Sequence, residues 1–411
     1  MAINTNIKSK LYNFEKELIP GLPNDMALEC LLRVPIDSHS ILRHVSTHWK
    51  TTLSHSSFFD LRRRVYAAEH LLFLIQPLSA VARIPPQQET NKDVLDSVNS
   101  VTSPLIYNIS VYNSTLNEWK NMVNVTIPTF AQCVAIPASA KVVILGGWGP
   151  ATLLPVTDVL VIDLSSGTWK QGSPMPTARS FFAAASVGPT AVYVAGGHDG
   201  RKNALRTAEV YDVDTDTWRK LPDMEQDRDE AHGLVLNDEE SKFWVISGYG
   251  TESQGRFRSD AEVYDTKTGS WTRINGVWPY PGQSPKSTAT PEFNGSRKWW
   301  CMIGGEPKEF SFEEMSWKAI NLGLIPKSVI GSTSISMVEM GDDRVMVMGN
   351  GERNNGEECK EVGCCAGEGV FMLEKRTSEG GINGVVNWNW EHVHAPSKFS
   401  GFPFSSSHLL I

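Results

Sequence analysis

From residue 70 onward the chain alternates short apolar runs with polar, turn-forming clusters. Val142-Val-Ile-Leu145, Val192-Tyr-Val-Ala195, Trp299-Trp-Cys-Met-Ile303 and Arg344-Val-Met-Val-Met-Gly349 have the length of strands rather than helices. Turn residues lead into several runs, as at Ala138-Ser-Ala, Gly188-Pro-Thr, Asn237-Asp-Glu-Glu and Asn294-Gly-Ser. Upstream of the turn lies a further apolar run, such as Phe181 to Val187, so the strands are expected in pairs. Residues 18–64 follow another period. Ala27, Leu28, Leu31 and Leu32 form one helical stripe that Pro35 ends. Ile41, Leu42 and Val45 predict a second helix, Trp49 and Leu53 a third, and Phe58 to Arg64 opens a fourth.

The strand-rich part repeats about every fifty residues. Trp119, Trp169, Trp218, Trp271 and Trp317 each follow, by seven positions, a bulky apolar or aromatic residue: Tyr112, Ile162, Tyr211, Tyr264 and Phe310. The next residue is small and polar in every copy: Asn113, Asp163, Asp212, Asp265 and Ser311. Glycine signals precede the hairpins at Gly146-Gly147, Gly196-Gly197, Ser247-Gly248 and Gly304-Gly305. Each repeat therefore holds four short strands, which cannot bury both faces alone and stack radially as blades of a β-propeller. Degenerate units at 70–120 and 333–393, the latter closing near Trp388 or Trp390, bring the expectation to six blades. The first unit lacks an innermost strand, and the stretch Phe402 to Ile411 is expected to supply it and close the ring. The fold class is thus mainly β, a six-bladed propeller behind a small helical domain. The expected divisions are a flexible N-terminus at 1–17, the helical head at 18–64 and the propeller at 65–411.

Composition sharpens this division. Of 33 glycines only Gly21 precedes Gly146, and residues 1–64 carry a charge of +3 against −11 for the rest. An acidic body disfavours binding to nucleic-acid phosphates. Six cysteines in 411 residues do not make a disulfide framework. No apolar run near the start suits a secretory signal or a membrane span, so the sequons at Asn108, Asn113 and Asn124 carry no weight. Cytoplasm, nucleus or both are the expected locations. Catalytic constellations are missing too. His392 and His394 share a face without a third ligand, and Cys359, Cys364 and Cys365 lack the fourth ligand that structural zinc requires. Gly196-Gly-His-Asp-Gly200 is followed by neither Lys-Ser/Thr nor a helix. Neither a cofactor nor a metal is expected, and the chain reads as a non-catalytic protein.

The double glycines with their Tyr and Trp resemble the kelch repeat, most clearly over residues 131–317. Leu22-Pro23, Asp25, Leu31, Arg33-Val34-Pro35, Arg43, Val45-Ser46, Trp49, Leu53 and Phe58 resemble the F-box, with Thr47 standing where a basic residue is usual. The resemblance implies a substrate-recognition subunit of a Skp1-cullin-F-box ubiquitin ligase. It places Skp1-like adaptor contacts at Leu22, Pro23, Leu31, Val34, Pro35, Val45 and Trp49. It places client contacts at Arg179, His198, Arg201, Asn203, Arg228, Tyr249, Gln254, Arg256 and Phe257, with solvated turns and inter-blade salt bridges as the alternative. The stretches Met175 to Ser180, Arg228 to His232 and Ser247 to Phe257 are similar to a plant group of kelch F-box proteins. That group implies clients among phenylpropanoid and flavonoid enzymes, such as phenylalanine ammonia-lyase and chalcone synthase. The implied partners are the adaptor, through it cullin, and a client, with neither nucleic acid nor membrane. The rival is a kelch scaffold that acts without a ligase.

Overall fold

The computed structural model describes residues 17–78, 106–122, 126–236, 241–293, 295–332, 334–341, 343–350, 369–377, 386–399 and 401–411. The turn at 237–240, the sequon at Asn124 and the cysteines Cys359, Cys364 and Cys365 lie outside them, as does nearly all of the 1–17 segment. Six four-stranded antiparallel sheets form the body. The first contains β1 (His70–Pro77), β2 (Tyr107–Asn113) and β3 (Glu118–Asn121). The second runs through β4 (Gln132–Ile136), β5 (Lys141–Leu145), β6 (Val159–Asp163) and β7 (Thr168–Gln171). The third comprises β8 (Ala183–Val187), β9 (Ala191–Ala195), β10 (Ala208–Asp212) and β11 (Thr217–Lys220). The fourth comprises β12 (His232–Leu234), β13 (Lys242–Ile246), β14 (Ala261–Asp265) and β15 (Ser270–Ile274). In the fifth, β16 (Thr288–Ala289) is followed by a small hairpin, β17 (Glu292–Phe293) and β18 (Ser296–Arg297). That sheet continues with β19 (Trp300–Ile303), β20 (Glu306–Ser311) and β21 (Ser316–Ala319). The sixth contains β22 (Ile335–Glu339), β23 (Arg344–Gly349), β24 (Val370–Thr377) and β25 (Val386–His392). The last strand, β26 (Ser405–Leu410), returns to the first sheet and pairs antiparallel with β1, Ile75 opposite Ser405 and His70 opposite Leu410.

The repeated Tyr-to-Trp interval is a single hairpin. Tyr112, Ile162, Tyr211, Tyr264 and Phe310 stand directly opposite Trp119, Trp169, Trp218, Trp271 and Trp317 in the two outermost strands. The small polar residue caps the turn between them. Asn113 and Asp212 each accept from two backbone N–H groups two and three residues on, and Asp265 does the same. Two positions before each Trp the backbone is left-handed: Asn117, Gly167, Asp216, Gly269 and Met315. Apart from Trp169, which is exposed, these indoles reach out of their own blade, as does that of Trp390 in the sixth. Trp218 donates to the Ser173 carbonyl, Trp271 to Pro222, Trp317 to Val277, Trp390 to Leu322 and Trp119 to His394. Each acceptor follows the outer strand of the preceding blade. The last of these contacts joins the sixth blade to the first.

The head is α1 (Asn24–Leu32), a 3₁₀ turn at Ile36–Ser38, α2 (His39–Leu42), α3 (Thr47–Ser54) and α4 (Ser56–Arg64). Ala27, Leu28, Leu31 and Leu32 are all buried, as their spacing predicted. Ser46 caps α3 by accepting from the Trp49 N–H at 3.1 Å. The head does not keep its apolar surface for a partner alone. Phe58, Phe59 and Leu61 of α4 share one buried cluster with Leu71, Phe73, Ile75, Leu409 and Ile411 of the first blade. Arg62 stands at the joint, fully buried, bonding the Val34 and Ala67 carbonyls and pairing with Glu69 at 2.7 Å. Arg43 donates to the Leu164 and Ser165 carbonyls on the turn between β6 and β7. Gly167 permits that approach, since a Cβ there would lie 2.6 Å from the Arg43 guanidinium. Among the described residues no helix is long and apolar enough to cross a membrane.

Two outcomes test this architecture. Removing residues 400–411 leaves β1 with a bare edge and uncovers Leu71 and Phe73, so the truncated protein should lose its cooperative melt; unfolding at the temperature of the full chain would contradict closure by β26. Met315 holds φ 51 where the equivalent positions carry Asn, Asp or Gly. Left-handed backbone costs a side chain with a Cβ about 1–2 kcal/mol, part of which glycine returns through its freer unfolded chain. Met315→Gly should therefore raise stability by roughly 0.5–1 kcal/mol in urea titration.

Candidate functional site

The inner strands β4, β8, β12, β16, β22 and β26 surround the axis, and each enters from the same end. Residues just before these strands, and the β5–β6, β9–β10 and β13–β14 loops, therefore gather at one mouth. The β4–β5 and β6–β7 turns, Ile411 and the start of β1 lie at the other end, and this is where the head docks. The mouth thus faces away from the helical head.

The glycine pairs build the mouth's corners. Gly197 N–H donates to the Arg228 carbonyl of the next blade at 2.8 Å, and a Cβ on Gly196 would lie 2.3 Å from that oxygen. Both glycines hold positive φ. In the fifth blade Gly304-Gly305 instead forms a two-residue hairpin between Ile303 and Glu306, which explains its shorter distance to Trp317.

Five of the nine residues assigned to client contact are enclosed in the structure. Arg179 is fully buried: its guanidinium bonds the Gly196 and Thr207 carbonyls and pairs with Glu209 at 3.3 Å. Burial pulls its pKa below the ordinary value while Glu209 opposes. Arg228, equally buried, pairs with Asp260 at 2.9 Å and Glu262 at 3.0 Å. Burial alone would push the Asp260 carboxyl up, but Arg228 and Arg273 hold it below the usual carboxylate range. Both arginines are buried clamps within their own blades, neither client contacts nor the solvated turns and inter-blade salt bridges of the alternative reading. His198 is buried, its Nδ1 at 2.9 Å from both Asp229 oxygens and its Nε2 accepting from the Trp148 indole at 3.2 Å. Tyr249 and Phe257 are buried edge-to-face, and the Tyr249 hydroxyl donates to Glu230 at 2.8 Å. These five shape the mouth and do not face a partner directly.

The other four are exposed. Asp199 accepts from the Arg201 and Asn203 N–H groups and from the Asn203 side-chain amide, so Asn203 braces its own loop while the Arg201 side chain stands exposed. Gln254 and Arg256 stand on the adjacent loop, tied to the first by the Ala204 N–H donating to Thr251. The signal for the buried pairs was present in the sequence. Ala208-Glu-Val-Tyr-Asp212 and Ala261-Glu-Val-Tyr-Asp265 each place a glutamate two residues before the repeat tyrosine, in the two blades whose lead-ins carry an arginine. The second blade has Leu160 and no such arginine.

The adaptor assignments on the head divide similarly. Pro23, Pro35 and Val45 are exposed, while Leu22, Val34 and Trp49 are partly buried. The Trp49 indole donates to the Leu18 carbonyl at 2.7 Å, so it also locks the head's own entry turn. Leu31 is 2% exposed inside the head's core and cannot meet an adaptor in this packing. Met26 and Ile41, which the motif did not single out, are exposed at 54% and 72%. Among the described residues no cluster of three or more His, Cys, Asp or Glu could hold a metal ion.

The buried clamp separates structural from surface arginines experimentally. Arg228→Met leaves Glu262 buried without a counter-charge and Asp260 with Arg273 alone, and should cost about 3–5 kcal/mol. Arg256→Ala should change stability by less than about 0.5 kcal/mol. Urea unfolding of the two variants checks both.

Comparison with known proteins agrees with this geometry. Residues 130–351 match the KLHDC2/KLHL20/DRC7 Kelch-repeats domain family and residues 19–61 the F-box domain family. The Arabidopsis thaliana F-box/kelch-repeat protein SKIP20 is 40% identical, across 98% of this chain and 99% of its own length. The F-box/kelch-repeat protein At2g44130 of the same plant is 39% identical, across 96% of both chains. A third relative from that plant, F-box/kelch-repeat protein At1g80440, is 31% identical over 82% of this chain and 89% of its own. This chain belongs to the F-box/kelch-repeat family.

Proposed function

We propose that the protein is the substrate-recognition subunit of a Skp1-cullin-F-box ubiquitin ligase. The observation that carries this reading is the opposition of two surfaces on one fastened body. Exposed apolar side chains of an F-box head stand at one end of the ring, and an open mouth stands at the other. The head binds a Skp1-like adaptor, and through it cullin, with Val45, Pro23 and Pro35 joined by Met26 and Ile41. The mouth holds a client, with Arg201, Asn203, Gln254 and Arg256 among the reachable side chains. Ubiquitin transfer takes place on other subunits. The receptor acts by raising the local concentration of client lysines near the charged conjugating enzyme. Similarity to plant kelch F-box receptors favours enzymes of phenylpropanoid or flavonoid synthesis as clients, with phenylalanine ammonia-lyase and chalcone synthase the first to test. Cytoplasm, nucleus or both are the proposed location.

Ile41 and Val45 are 72% and 60% exposed, so replacing them need not disturb the head. The double variant Ile41→Glu, Val45→Glu should abolish co-purification of a co-expressed Skp1-like adaptor at an unchanged melting temperature. Undiminished adaptor binding would overturn this contact surface, and an unaltered chain that retains no adaptor would favour the scaffold that uses no ligase.

A further inference from the structure

The mouth holds chemistry that none of the assigned residues supplies. Phe130, Phe181, Glu230 and Lys286 stand two residues before β4, β8, β12 and β16, and Phe404 stands directly before β26. The shared direction of the inner strands sets these side chains around one opening. Phe130 and Phe181 have φ of 58° and 56°, an uncommon conformation for bulky residues that persists only where the surroundings enforce it. Their rings are 5.1 Å apart, each is 5.1 Å from Phe404, and Trp148 lies 5.2 Å from Phe130. Four partly exposed rings thus form a continuous aromatic floor.

Two ammonium groups rest on this floor. Lys286 Nζ is 3.6 Å from the Phe404 centroid and 5.1 Å from Phe181, and Lys202 Nζ is 3.5 Å from Trp148. Among the described residues neither makes a salt bridge. The nearby carboxylates already have partners: Asp229 is held by His198 and the Glu230 N–H, and Glu230 accepts from Tyr249. Burial draws Lys286 down to about 8, with Glu230 and Asp229 opposing. Beside the floor, Leu153 and Leu154 are 57% and 51% exposed, and Leu153 has φ 54°. A large apolar side chain in strained backbone, turned to solvent, gains nothing for the fold.

We propose that this mouth grips an extended internal segment of a client in which Asp or Glu adjoins a bulky apolar residue. The carboxylate meets Lys202 and Lys286, and the apolar side chain lies on Trp148, Leu153 and Leu154. This rests on the reading that the propeller holds a client. A purely apolar segment would cover both cations and leave them only the already partnered Asp229 and Glu230 as counter-charge. Stacking rings with lysines also suit single-stranded nucleic acid, but the charge of −11 on the body opposes a strand with a phosphate at every nucleotide far more than a segment with a single carboxylate. A segment that runs on in both directions fits better than a chain end, because Leu153 and Leu154 on the second blade and Gln254 and Arg256 on the fourth give it contacts to either side.

The test is selection from a random peptide library, each peptide tethered by flexible linkers at both ends, against the full chain co-purified with its adaptor. Recovered peptides should be enriched in Asp or Glu next to Leu, Phe or Trp. Exchanging the acid for its amide in the best peptide should weaken it about tenfold, as should Lys202→Glu or Lys286→Glu in the protein. Lys202 is exposed, so K202E should melt at the temperature of the unaltered chain. Peptides without acidic enrichment, or binding indifferent to K202E and to the amide exchange, would overturn the proposal while leaving the propeller a client holder. Recovery of no sequence at all would count against client gripping itself, and with it this inference.

Discussion

The pairing of β26 with β1 is the constraint on which the remaining structure hangs. Five blades draw all four strands from one contiguous stretch, whereas the first borrows its innermost strand from the far end of the chain. A ring without that strand would be open between the first and sixth blades' inner edges, would uncover Leu71, Phe73 and Ile75, and would lose the Ser405 and Ser407 bonds to the β4 backbone. The same seam also anchors the head. Glu69 and Ile411 exchange both backbone hydrogen bonds, Arg63 reaches the Leu410 carbonyl, and the Glu69 carboxylate collects Arg62, the Ile36 N–H and Asn113. Tail, first blade and head thus depend on one another through a few buried polar groups. Desolvating Arg62 and Glu69 is costly, so the pair contributes more to fixing one docking geometry than to stability.

The repeat was legible because one hairpin imposes three requirements at fixed offsets: an aromatic pair across two strands, a turn cap after the first member, and left-handed backbone before the second. Those requirements are local, so Tyr211, Asp212 and Trp218 announce them without knowledge of the ring. The closing strand was legible for a different reason, since counting strands per blade leaves the first unit one short. The head's helices followed from spacing, but its mode of use did not. Phe58 and Phe59 look like spare interface residues in a fifty-residue bundle, and only the tertiary arrangement shows that the first blade covers them.

The mouth was read least well. Arg179 and Arg228 carry the chemical signature of binding residues and are instead structural, because a glycine-pair corner brings several carbonyls together and needs a donor with many N–H groups to satisfy them. Their partners Glu209 and Glu262 are some thirty residues away, and the sequence signals them only through the Ala-Glu-Val-Tyr-Asp shared by the two blades whose lead-ins carry an arginine. The aromatic floor was missed for the complementary reason. Phe130, Trp148, Phe181 and Phe404 come from three blades and are spread over most of the chain, and each alone looks like an ordinary core residue. Radial stacking brings equivalent positions of different blades together, so chemistry at the axis is written at intervals of a whole repeat.

A propeller fastened to its head in this way has consequences for any partner. Arg43 ties the helices to the second blade through carbonyls of the β6–β7 turn, and Arg62 ties them to the first through Glu69, which Ile411 and Asn113 hold in turn. The head and the mouth are therefore ends of one rigid body rather than domains on a tether. For a receptor that works by proximity, a rigid spacer gives up reach and gains a constant distance between adaptor and client. On the proposed reading, the lysines that meet the conjugating enzyme are chosen by how the client is turned in the mouth, whose asymmetric features are the lysines on the floor, the two exposed leucines, and the fifth blade's clipped Gly304-Gly305 corner.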